Sequence, residues 1–249
     1  MEIINVNKEN LEQEHICCAI SNNKDCQVIS KKKWLGEQLE AGLVFKKGNV
    51  RGKCFIEYLP AENAWVPIDA PNFMYIDCFW VAGKFVGQGN GSLLLKDCID
   101  DCKAKGKSGL AVLSSKKKKA FLSDPDFLRR KGFRTADSCD PFFELLYLPF
   151  ADEVAVPKFI HNELDPAYRT GYVLFYTFQC PFTAKYVPLI EQIATDKKIP
   201  FRAVHVTSKE EARKLPIPFT SYSLFLDGQF LTHEILSEKK FEKIVENNQ

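Results

Sequence analysis

The chain opens on an ambiguous pattern of apolar and polar positions and then becomes regular. Residues Glu9 to Ile20 are mixed in character, whereas Lys31 to Glu40 carries Trp34, Leu35 and Leu39 at roughly helical spacing, so one or two short helices are expected. After Gly42 the period becomes that of strands. Leu43 to Lys46, Lys53 to Leu59 and Phe73 to Val81 are short β-like runs separated by Gly48, Asn49, Pro60 and Pro67, which predicts an antiparallel meander. From Gly91 the period is helical again. Leu94, Leu95, Cys98, Ile99 and Cys102 form one apolar stripe, and Gly106 stands where a left-handed cap would end it. A strand Leu110 to Leu113, a polar run Lys116 to Lys119, a helix Pro125 to Lys131 stopped by Gly132, and an apolar run Phe142 to Phe150 follow.

Between Ala151 and Gly171 the period is lost, and Pro157 and Pro166 stand among dispersed charges, as in an interdomain linker. The pattern then resumes as strand Tyr172 to Phe178, helix Ala184 to Thr195, strand Phe201 to Val206, helix Ser208 to Leu215, strands Tyr222 to Leu226 and Gln229 to Thr232, and helix Ser237 to Glu246. Asp227-Gly228 is a tight-turn pair, and Ser208 with Glu211 has capping-box spacing. The expected domains are therefore residues 1–150, a linker 151–170, and residues 171–249, in a chain of 249 residues long enough for two modest cores.

Composition narrows the classes. With 45% apolar and 27% charged residues the chain is expected to fold, and a net charge of +2 supplies no basic field for nucleic acid or an anionic membrane. Nine scattered cysteines without a secretory leader predict reduced thiols in the cytoplasm. No metal site is expected. Cys98 and Cys102 lie one helical turn apart without a Cys-x-x-Cys pair and read as core, Cys17-Cys18 beside His15 is assigned no chemistry, and His161, His205 and His233 are isolated.

The densest chemical signal is Val86-Gly87-Gln88-Gly89-Asn90-Gly91-Ser92, between a strand and an apolar-striped helix. Successive main-chain N–H groups at a helix start make a cup that suits a pyrophosphate, although glycine-rich turns also serve geometry alone. A dinucleotide fingerprint would follow the first strand of a parallel unit, not a meander. Meander, Gly-x-Gly loop, helix, strand, and then Phe127-Leu128-Arg129-Arg130-Lys131-Gly132-Phe133 resemble the GNAT acetyltransferase superfamily over about residues 1 to 150.

That resemblance implies an α/β (α+β) fold: a mixed, mainly antiparallel sheet flanked by helices, with acetyl-CoA as co-substrate and an amine acceptor, small molecule or peptide. It maps the family's loop pattern onto Val86, Gly89 and Gly91, with Val86 in place of the usual Gln or Arg, and Leu128 where the family commonly has a tyrosine acid. It also implies that main-chain groups near Phe79 and Val81 serve the acetyl carbonyl and the pantetheine arm.

Candidate bases come from the residues themselves. In Met74 to Val81, strict alternation puts Tyr75, Asp77 and Phe79 on one face and Met74, Ile76, Cys78 and Trp80 on the other. Asp77 in an apolar strand is either a base with a raised pKa or a carboxylate tied to loop backbone. Glu57 and Glu62, near Tyr58 and Trp65, could line an acceptor pocket. Lys116 to Lys119 reads as a solvated run.

The C-terminal order, with Cys180-Pro181-Phe182-Thr183 between strand and helix, resembles a thioredoxin-like domain. The combination resembles GNAT acetyltransferases with a YoaP-like C-terminal domain. A thiol at a helix start is expected to be acidified, and Thr183 in place of a second cysteine restricts Cys180 to monothiol chemistry or to a scaffold role. Pro218 is the nearest match to that fold's cis-proline. Two other readings stay open: a noncatalytic acyl-CoA-binding protein, and a monothiol redox protein using Cys180.

Overall fold

The structure, a computed structural model, describes residues 1–16, 18 and 22–248. Cys17 and the end of the Glu9 to Ile20 segment lie outside the described residues. The strands are β1 (Ile3–Val6), β2 (Val44–Gly48), β3 (Cys54–Pro60), β4 (Ile68–Asp69), β5 (Phe73–Val81), β6 (Gly109–Ser115), β7 (Arg134–Cys139), β8 (Phe143–Pro149), β9 (Lys158–Phe159), β10 (Tyr172–Tyr176), β11 (Phe201–His205), β12 (Tyr222–Leu226) and β13 (Gln229–Thr232). The helices are α1 (Cys26–Glu40), α2 (Asn90–Ala104), α3 (Pro125–Arg130), α4 (Thr183–Asp196), α5 (Lys209–Ala212) and α6 (Glu238–Glu246).

The predicted meander is present. A seven-stranded sheet runs β1-β2-β3-β5-β6-β8-β7, antiparallel throughout except where β5 and β6 are parallel. The strands β1 and β7 were not expected: β1 (Ile3–Val6) is a run of four residues interrupted by Asn5, Arg134–Cys139 is mostly polar, and both lie at the sheet's two edges, where a strand needs less apolar cover. The helix predicted to begin at Lys31 begins at Cys26, where Asp25 caps it by accepting from Gln27 N–H.

A second sheet runs β11-β10-β12-β13, with β10 parallel to β11 and antiparallel to β12. Asp227 and Gly228 both have positive φ, 47° and 81°, as the tight hairpin between β12 and β13 requires. In the expected linker, β9 pairs with β4, and Phe159 and Leu164 are buried, so this stretch is a packed strap.

Three apolar clusters hold the molecule together. One lies between the first sheet and α2 and α3, with Leu94, Leu95, Cys98, Cys102 and Leu128 against Ile56, Met74, Ile76 and Val112. A second fills the C-terminal unit, joining α4 and α6 to the second sheet. The third is shared: Phe73, Tyr75, Ala111, Leu113 and Phe143 of the first sheet meet Val173, Phe175, Phe225 and Phe230 of the second, with α1 contributing Trp34 and Leu35. Hydrogen bonds reinforce the join, from Thr220 Oγ1 to Trp65 O (2.6 Å) and from Arg213 to Ile68 O (2.5 Å). His233 sits in this seam among Phe142, Phe143 and Phe219, with Nε2 2.8 Å from Ala120 O. One face of the first sheet is thereby covered by α2 and α3, and the other by α1 and the C-terminal unit.

Candidate active site

The loop after β5 is open. A short 3-10 turn at Gly83–Phe85 leads to Gly87 and Gly89, which adopt φ of 78° and 77°, and α2 starts at Asn90. A side chain added at either glycine would meet nothing within 4 Å. Gln88 and Asn90 turn their amides back onto the carbonyls of Lys84 (2.6 Å) and Phe85 (3.0 Å), which fixes the loop. Val86 is exposed, and Gly91 lies over the rings of Phe127 and Phe79. The first bond of α2 is donated by Leu93 N–H to Gly89 O, so the amides before it are free of the helix ladder. With the 15-residue helix behind them, they are the positive end of its dipole.

Strand β5 carries two irregularities. It pairs with β6 only from Phe73–Gly109 to Ile76–Val112, although both strands continue. From Asp77 to Val81 its main chain therefore has no partner in β6. On its other side, Tyr58 pairs with Ile76 and Glu57 with Cys78, leaving Asp77 as the extra residue of a bulge. The bulge corrects the predicted alternation. Cys78 and Trp80 join Tyr75 on the face toward α1 and the C-terminal unit, and Phe79 and Val81 join Met74 and Ile76 on the α2 face. A one-residue insertion shifts a period of two by half, so every residue beyond it changes sides.

Beneath the bulge lies a buried polar cluster. Lys31 of α1 and Glu57 of β3 form an ion pair at 2.7 Å with exposures of 1% and 0%, and the Lys31 ammonium also lies 4.3 Å from the centre of the Trp34 ring. Burial works against the Lys31 charge, yet Glu57, Cys18 and Asp77 together hold its pKa above the ordinary value. Burial raises the Glu57 carboxyl against the pull of Lys31. The Asp77 carboxyl is pushed up to about 7, first by burial and then by Glu57, with Lys31 and Gln179 acting in the opposite sense. Glu57 Oε1, Asp77 Oδ2 and Trp34 Nε1 are buried without hydrogen-bond partners. Each of the two carboxyls thus keeps one oxygen able to accept a further hydrogen bond. Glu62, by contrast, is exposed and faces Lys107 at 3.5 Å, away from this cluster.

The C-terminal unit closes the cluster from above. Between β10 and α4 the chain turns through Thr177, Gln179 and Cys180, and Thr183 Oγ1 donates toward the carbonyls of Thr177 (2.7 Å) and Cys180 (2.8 Å). Gln179 Nε2 donates to Asp77 O (3.3 Å), while its Oε1 accepts from Ser221 Oγ (2.6 Å). Cys180 overturns the expected acidification. Its thiol is pushed up to about 12 by burial, which outweighs the hydrogen bond with the Phe182 main chain, and it is not a ready thiolate at neutral pH. Cys18, hydrogen-bonded to Cys78, is likewise raised, by that bond and then by burial. Pro218 does not supply a cis bond: among the described residues that bond joins Asp140 and Pro141. Leu128, at the position matched to the family's tyrosine, is fully buried. Among the described residues no group of three or more His, Cys, Asp or Glu could hold a metal, and no helix is long and apolar enough to cross a membrane.

Lys31, Gln179 and Ser221 were not singled out from the sequence. Lys31 left a signal: it precedes Trp34 by three and Leu35 by four, which puts a lysine on the buried stripe of α1. Gln179 and Asp77 are 102 residues apart, and no local pattern links them.

The strand thus bulges at Asp77 and parts from β6 before a glycine-rich helix start, with acidic side chains at the bulge. The model of the acetyltransferase (GNAT) family matches residues 8–121, and that of the YoaP-like family matches residues 200–243. The chain belongs to the YoaP-type N-acetyltransferases of the GNAT family, being 42% identical over 244 residues, 97% of either chain, to the uncharacterized N-acetyltransferase YoaP of Bacillus subtilis. Among solved structures it is similar to the PaiA N-acetyltransferase of Thermoplasma acidophilum in complex with coenzyme A (15% identity, 60% of this chain and 100% of that one, TM-score 0.42). It is also similar to a GNAT family acetyltransferase of Brucella melitensis in complex with acetyl-CoA (14% identity, 62% and 90%, TM-score 0.38).

Proposed function

We propose that the protein transfers the acetyl group of acetyl-CoA to an amine, small molecule or peptide, at the junction of its two units. The observation that carries this reading is the pair of buried carboxyls, Asp77 and Glu57, each with an unpartnered oxygen, where β5 leaves β6. The amides of Gly87 to Ser92 hold the diphosphate, and the main chain of β5 near Phe79 and Val81 receives the pantetheine arm and the carbonyl oxygen. A pKa of about 7 lets Asp77 take the proton of the attacking amine at neutral pH. Glu57, committed to Lys31, positions the charge beside it. The amine nitrogen bonds to the carbonyl carbon, the carbon–sulfur bond breaks, and CoA leaves as a thiolate that takes its proton from water, since Leu128 offers none.

The C-terminal unit, residues 171–249, has the strand order and the helix after Cys180 that suit a thioredoxin-like fold, and in this reading it acts as the roof of the acceptor site without redox chemistry. The described cysteines are all unpaired, which suits the cytoplasm. The buried Leu128 favours one competing reading, a protein that binds acyl-CoA without turnover. Calorimetry with acetyl-CoA and free-CoA release across an amine panel separate them: binding with release from at least one amine, lost in Asp77→Asn, supports transfer, and binding without release from any amine defeats it.

A further inference from the structure

The mechanism above uses residues of the first unit alone, yet a hydrogen bond reaches the reacting strand from the second. We propose that Gln179, clamped by Ser221, is a positioning residue that holds the Asp77 bulge in place, so that the C-terminal unit completes the catalytic geometry of the N-terminal one; this rests on reading Asp77 as the base.

The geometry is specific. A residue extruded from a ladder has lost the pairing that fixes its neighbours, and the Asp77 carbonyl takes its hydrogen bond from Gln179 Nε2 at 3.3 Å. The Gln179 side chain also favours the charged form of the nearby Asp77 carboxyl. The amide is itself fixed at three points. Its oxygen accepts from Ser221 Oγ at 2.6 Å, its main-chain N–H donates to Thr177 Oγ1 at 3.3 Å, and Thr183 ties the turn by bonding the carbonyls on either side of it. Ser221 in turn follows Thr220, whose hydroxyl is anchored 2.6 Å from Trp65 O of the first unit. Both ends of the clamp are thus tied to the first unit, one at Asp77 and the other at Trp65 in the loop between β3 and β4. The groups that interact with Asp77 are Glu57 from β3, Lys31 from α1, Tyr75 from β5, and Gln179 from the turn before α4. Gln179, unlike Glu57 and Lys31, carries no charge. Removing its N–H frees the Asp77 carbonyl, takes away the donor that favours the carboxylate and moves the titration up, while the charges around the site stay the same.

The test uses the full chain carrying Gln179→Met, which keeps the length and lacks the donor, together with Ser221→Ala and Ser221→Thr. Two readouts are taken: the pH profile of kcat/KM, and the Asp77 carboxyl titration by infrared difference against Asp77→Asn. For Gln179→Met the acidic limb and the infrared titration both move up by roughly half to one pH unit. Ser221→Ala moves them the same way by less, and Ser221→Thr, which keeps the hydroxyl, restores the wild-type position. A kcat/KM lowered equally at every pH with an unmoved infrared titration overturns the proposal, because that is what loss of packing alone would give. An infrared shift that the activity profile does not follow leaves Gln179 as the positioner of Asp77 and removes Asp77 from the role of base.

Discussion

Asp77→Asn separates the electrostatic account of this site from a purely structural one, because it predicts a loss of activity together with a gain of stability that depends on pH. The carboxyl has an ordinary value of 3.8 and is pushed up to about 7 in the folded chain, so the folded state binds the proton more tightly than the unfolded one. With more protons bound when folded, stability falls as pH rises between the two values, is highest below the unfolded value, and levels off above the folded one. Each pH unit in that window costs about 1.4 kcal/mol. Two units separate pH 5 from the folded value, so the wild type loses about 3 kcal/mol between pH 5 and pH 8 through this one group. Asparagine has the same shape and does not titrate. Urea unfolding of both proteins across that range should show the asparagine variant gaining on the wild type by about 3 kcal/mol, with equal m-values. The same variant should lose the acidic limb of kcat/KM near pH 7, and with it roughly a hundredfold or more of activity. A stability gap that stays constant from pH 5 to pH 8 would refute a carboxyl raised by burial, whatever the activity does.

Other expectations address the remaining parts of the site. Lys31→Met leaves Glu57 buried and unpaired and should cost about 3–5 kcal/mol in denaturant unfolding, most of which returns in the double variant Lys31→Met, Glu57→Leu; equal instability of the two variants contradicts this. Gly89→Glu puts a side chain on a left-handed residue and a negative charge in the anion cup, so CoA affinity by calorimetry should fall at least about tenfold, whereas Gly89→Asn, which tolerates that conformation, should bind nearly as the wild type does. Alkylation followed by mass spectrometry at about pH 7.5, well below the Cys180 thiol at about 12, should label the exposed Cys26 well before Cys180. Comparable rates at the two cysteines would remove the case against a reactive Cys180.

What the sequence determined by itself was everything encoded within a dozen residues: the β5 and β12–β13 boundaries, the stripe of α2, the glycine loop, and the turn residues between elements. These depend on backbone propensity and on a period that each segment carries in its own side chains. The order of elements then carried the fold class. Tertiary structure decided the rest. The phase of β5 changed at Asp77 because β3 pairs with it one residue out of step, and nothing in Met74 to Val81 alone marks that insertion. The pKa of Asp77 rose because burial disfavours its charge and the Glu57 carboxylate repels it, and that of Cys180 rose because burial outweighs the hydrogen bond with the Phe182 main chain. Lys31, Gln179 and Ser221 are ordinary polar residues in the chain and became parts of a site only when α1, β3 and a turn far along the sequence were brought together. Desolvation and long-range pairing are properties of the packed molecule, since both depend on what the neighbouring elements exclude or offer.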